Sequence, residues 1–146
     1  MKKLFSTAHS SATDAALFIA RIGIAILMLT HGLPKLEMLL SGGPVQFPPV
    51  MGMSPDVSLA LAVFAEVGCS VLLLVGLGTR LATVPLIITM LVAVFSIHAA
   101  DGMDKKEPGL HYLLVYVILL LAGWKVFGGS SAVQEVEHRA LPSEER

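Results

Sequence analysis

"VSLALAVFAEVGCSVLLLVGLGTRLATVPLIITMLVAVFSI" occupies residues 57–97 and holds two charged side chains, Glu66 and Arg80. The turn Gly76–Arg80, GLGTR, divides it into two apolar runs. A helix needs roughly 20 apolar residues to cross about 30 Å of hydrocarbon. The spacing predicts spans at about 57–77 and 81–97, joined by almost no loop and therefore antiparallel. Outward from this hairpin lie two further runs. One covers about 15–33, with Thr13 or Asp14 placed to cap its start and Gly32–Pro34 to end it. The other covers about 109–124, with Trp124 and Lys125 suited to a membrane interface. The expected fold is all-α, an integral membrane four-helix bundle.

The remaining segments follow from those spans. Residues 1–14 form a polar N-terminal segment, 15–127 the membrane domain, 34–56 an outer loop and 128–146 a charged tail. Lys2 and Lys3 resemble the start of a signal peptide, but polar residues 6–14 separate them from the apolar run, so the segment is read as retained. Lys2, Lys3, Arg80, Lys125, Arg139 and Arg146 fall on one side of the membrane, against Lys35, Lys105 and Lys106 on the other. That bias predicts cytoplasmic termini. The loop holds apolar FPPVMGM (residues 47–53), which reads either as a segment on the membrane surface or as a lid over the bundle.

Of 146 residues, 55% are hydrophobic and 14% charged. Ordinary globular chains are about 45–50% apolar. The length suggests one domain. A net charge of −1 points to no nucleic-acid partner. The single cysteine, Cys69, closes no disulfide within the chain and belongs to no CxxC pair, which excludes a self-contained dithiol oxidoreductase.

Two ionisable residues lie at membrane depth, Arg21 and Glu66. Such groups face the bundle interior or a wet cavity, because lipid solvates them poorly. Counted from the predicted outer ends, Arg21 is roughly 18 Å deep and Glu66 roughly 14 Å. A guanidinium side chain spans that difference, so an Arg21–Glu66 pair is expected. It serves either to fix helix packing or to hold the charge of a proton-accepting Glu66.

His31 ends the first span, His98 the third, and His111 begins the fourth, all at the outer side. Tyr112 and Tyr116 lie one turn apart below them. Each histidine alone reads as an interfacial residue, but three from three helices converge in depth. Histidine passes protons near neutral pH and also binds metals. With tyrosine hydroxyls to meet a carbonyl, the set suits a quinone headgroup, with Lys35 alongside. It equally suits a metal or haem held by His31, His98 and His111, with Met51, Met53 or Met103 as soft ligands. No histidine pair shows a recognised metal spacing, and a c-type haem attachment motif is absent.

The combination "ARIGIAILMLTHGLPKL" (20–36), "FAEVGCSVLLLVGLGTRLAT" (64–83) and "VAVFSIH" (92–98) resembles the DoxX family of small four-helix membrane proteins. The resemblance covers about residues 15–127. It implies a helical membrane bundle and a role as a membrane subunit linked to oxidoreductase chemistry. One branch resembles small subunits of thiosulfate:quinone oxidoreductase. Others are implicated in thiol redox balance, and distant relatives resemble chaperones or cargo receptors.

The expected function is therefore a quinone-binding subunit of an oxidoreductase system in a bacterial inner membrane. Glu66, His98 and His31 would handle protons and Arg21 would hold Glu66 charged. His111, Tyr112, Tyr116 and Lys35 would contact the quinone. Membrane lipid, and either a second copy or a redox partner protein, are the expected partners. A non-enzymatic scaffold or chaperone is the alternative, in which Arg21 and Glu66 only shape the bundle. The metal or haem site is a further one.

Overall fold

A computed structural model describes residues 2–122, with side chains described over 12–122. It contains four helices and, among the described residues, no strand. Helix α1 is Lys2–Leu40. Helix α2 is Pro55–Val75, α3 is Thr79–Ile97, and α4 is Met103–Ala122. Each packs against its neighbour in the chain, and α4 closes back on α1. The result is a square antiparallel bundle with α1 and α3 on one diagonal.

The bundle has an apolar exterior around a core that is itself mainly apolar but holds a few polar groups. The α1 residues Leu17, Arg21, Ile24, Ala25 and Met28 face inward at helical spacing. Glu66, Ser70 and Thr83 are buried with them. Phe18, Ile19, Leu61, Leu81, Ile88 and Phe95 stand exposed outside. Polar groups inside and an apolar belt outside are what a bilayer selects. Ala12–Leu40, Pro55–Val75 and Thr79–Ile97 are long and apolar enough to cross a membrane. The chain is a multi-pass, all-helical membrane protein.

The boundaries differ from the sequence expectation in three places. α1 begins at Lys2 rather than at a cap near Asp14. No Gly or Pro interrupts the chain before Gly23, so nothing stops the helix there. α1 also runs through Pro34 to Leu40 instead of ending near Leu33. Proline removes one backbone donor, but the following Lys-Leu-Glu-Met-Leu-Leu run favours helix, and packing against α2 holds this turn. The helix stops at Ser41, whose N–H donates to the Glu37 carbonyl at 3.0 Å, before Gly42 at φ +66°. The loop thus shortens to 41–54. Thirdly, α4 begins at Met103, taking in the charged turn Asp104–Glu107. The expected features at Trp124, Lys125 and 128–146 lie outside the described residues.

Two segments are wound as π-helix, Phe64–Cys69 within α2 and Ala93–Ile97 at the end of α3. π-turns insert one residue into a helix and occur often at functional sites. Here one contains Glu66 and the other leads into His98.

Candidate functional site

Glycine positions the site before any charged group does. A Cβ on Gly32 would sit 2.8 Å from Val67 Cγ2 and 3.0 Å from Glu66 Cβ. Only a glycine lets α1 approach α2 this closely, and that approach sets Lys35, one turn on, beside Glu66. The Lys35 Nζ donates to Glu66 Oε1 in an ion pair. The Lys35 side chain is 30% exposed and that of Glu66 2%. The second carboxylate oxygen, Oε2, is buried and has no hydrogen-bond partner among the described residues.

This is a correction to the sequence reading. Counting depth from Leu33 places Arg21 only about 4 Å deeper than Glu66, within reach of its side chain. With α1 extended to Leu40, Gly32 and Lys35 lie level with Glu66 instead. Arg21 is then about 16 Å further along α1 from Gly32, at 1.5 Å per residue. It is buried in the core, and its guanidinium carbon lies 5.3 Å from the Phe18 ring centroid.

Two cavities meet at the ion pair. The first, about 400 Å³, is lined by His31, Lys35, Glu66, His98, Tyr112, Asp104 and Lys105, among others. The second, about 210 Å³, is lined mostly by apolar side chains of α2, α3 and the 41–54 loop, including Phe47, Val50, Met51, Leu61 and Ile88. Lys35, Glu66 and Ala93 line both.

The first cavity gathers groups from all four helices. The His31 ring meets Tyr112 edge-on, centroids 5.6 Å apart. Tyr112 stacks on Tyr116 at 6.2 Å. Tyr116, expected to contact the quinone, is instead fully buried behind Tyr112 and lines neither cavity, and its hydroxyl has no hydrogen-bond partner among the described residues. His98 Nδ1 lies 2.6 Å from Asp101 Oδ2, a contact that orients the imidazole ring. His111 does not join them. It is exposed on α4 and lines neither cavity. Among the described residues, no group of three or more His, Cys, Asp and Glu side chains is placed to hold a metal ion.

The loop is held down over the second cavity. The Val50 N–H donates to Ser58 Oγ at 3.1 Å. Met53 N–H closes a turn onto the Val50 carbonyl at 2.9 Å. Lys35 Nζ lies 5.9 Å from the Phe47 ring centroid, within cation–π range. Asp101, Asp104 and Lys105 were not singled out by sequence reasoning as site residues. Their only signal was a charged turn directly before an apolar run.

The DoxX family model matches residues 16–99, which take in His31, Lys35, Glu66 and His98. No curated protein and no solved structure matches the chain.

Proposed function

The chain belongs to the DoxX family, and from that premise we propose that it is the quinone-binding membrane subunit of an oxidoreductase system. One observation carries the reading. The buried carboxylate Glu66, with one oxygen left without a hydrogen-bond partner among the described residues, lines a cavity shared with His31, Lys35, His98 and Tyr112. A buried polar atom without a partner is costly and marks a place where a ligand or proton completes the bonding. The volume of about 400 Å³ falls within the range of about 300–1,000 Å³ typical of small-molecule sites.

A quinone takes up two electrons and two protons to become a quinol. The electrons come from a redox partner protein. The chain's own part is to bind the ring and manage the protons. Lys35 donates to a carbonyl oxygen, Tyr112 and His31 supply aromatic surface, and Glu66 takes or gives a proton. His98, oriented by Asp101, passes protons between this cavity and the aqueous side. In this reading the loop end of the bundle is the outer side of a bacterial inner membrane, and both termini are cytoplasmic. Four helices leave ample surface for a partner protein or a second copy.

The test is direct. Purify the protein gently, extract its lipids and titrate a quinone against it. Quinone should co-purify or bind, and Glu66→Gln should slow quinone reduction in host membranes. No bound quinone, together with an unaltered rate in the variant, overturns the reading.

A further inference from the structure

We propose that the smaller, apolar cavity is a separate subsite for the isoprenoid chain of the quinone, so that the protein selects tailed over tail-free quinones. This rests on the quinone reading and extends it to a second place in the molecule. The two cavities differ in chemistry. One is ringed by His31, His98, Tyr112 and charged side chains. The other offers Phe47, Val50, Met51, Leu61 and Ile88. They meet at Lys35, Glu66 and Ala93. A molecule with a polar ring and an apolar chain matches that pairing in sequence, ring on one side of the Lys35–Glu66 pair and chain on the other.

The route by which the chain leaves is also visible. Leu61 on α2 and Ile88 on α3 line the apolar cavity, yet both are more than half exposed. On a membrane-spanning bundle, exposure at these positions is exposure to acyl chains. The cavity therefore opens sideways into lipid, between α2 and α3. A long chain can start beside Glu66 and continue into the bilayer without crossing water. The loop closes the aqueous side through Phe47 and Val50, pinned by the Val50–Ser58 hydrogen bond. A head-first entry from the membrane follows from this layout.

Equilibrium binding of benzoquinones and naphthoquinones carrying none, one, two or four isoprene units tests the proposal. The protein is reconstituted in nanodiscs, and each quinone is expressed as its mole fraction in lipid. Ala62 also lines the apolar cavity, so Ala62→Leu fills it from its α2 wall, and Ile88→Trp narrows its mouth from the exposed side, where folding is least at risk. Thermal melting confirms that each variant is folded. The wild type should gain about tenfold in affinity over the first units, equivalent to about 1.4 kcal/mol, and then level off. Each folded variant should lose most of that gain while binding the tail-free quinone as the wild type does.

Equal affinity for tailed and tail-free quinones, or a full tail gain in folded Ile88→Trp, overturns the subsite and leaves the quinone reading standing. Failure of every quinone to bind the wild type overturns both.

Discussion

The ammonium of Lys35 and the carboxylate of Glu66 meet where two cavities adjoin, one carrying histidine, tyrosine and charged side chains and the other almost wholly apolar. Neither group belongs in hydrocarbon alone, and each makes the other tolerable there. Removing one member of a buried pair strands the other, at a cost of up to about 3–5 kcal/mol. Lys35→Met should therefore lower the melting temperature in detergent markedly. Lys35→Met combined with Glu66→Gln should recover much of the loss. A double variant no more stable than Lys35→Met alone would show that the pair does not govern this contact.

Gly32 should tolerate no side chain. Ala at this position drives its methyl toward Val67 and the backbone carbon of Glu66, 3.1 Å away. The helices must part, at a cost of about 1–3 kcal/mol. Gly23 is the internal control, since a Cβ there meets nothing within 4 Å. Gly23→Ala should be stabilising by up to about 1 kcal/mol through helix propensity. Chemical or thermal unfolding in detergent reads both, and equal effects would refute the close-approach argument.

The three histidines should separate by reactivity. Carbethoxylation followed by mass spectrometry should label exposed His111 whether or not quinone is present. His31 and His98, which line the larger of the two cavities, should be labelled slowly once quinone is bound. Protection of His111 by quinone, or none at His31 and His98, would contradict the assignment of the cavity.

Ser58→Ala removes the acceptor for the Val50 N–H. A hydrogen bond of this kind contributes about 1 kcal/mol, so the bundle should remain folded. Amide exchange at Val50 should accelerate by about fivefold or more, and quinone release should quicken with it. Unchanged exchange would mean that the loop is held elsewhere.

The hairpin at 57–97 was legible in the sequence because two uninterrupted apolar runs flank a glycine turn. Gly76 and Gly78 both take positive φ there, at +77° and +58°, a conformation that glycine adopts without strain. The end of α1 was not legible. Gly32 and Pro34 carry strong local stop signals, yet packing against α2 overrides them. The start of α4 was missed for a related reason, since Asp104–Glu107 reads as a charged loop but winds as a helical turn. Those boundary errors propagated to the site. Depth alone brought Glu66, His31 and His98 to one end of the bundle, where they line one cavity, but it also included His111, which faces outward. The partner of Glu66 was not identifiable, because it depends on the register between α1 and α2. That register is set by a missing Cβ, which no count of apolar residues can register. Asp101 was overlooked because its bond to His98 depends on how the chain turns after α3.

The wide turns at Phe64–Cys69 act as a clutch between the two ends of α2. An inserted residue rotates everything beyond it by about 100° relative to an unbroken α-helix. The half bearing Ser58 and Ala62 is thereby aimed independently of the half bearing Ser70 and Leu73. A one-residue deletion in this stretch would re-engage them, swivelling one half so that greasy side chains turn inward and Glu66 loses its seat.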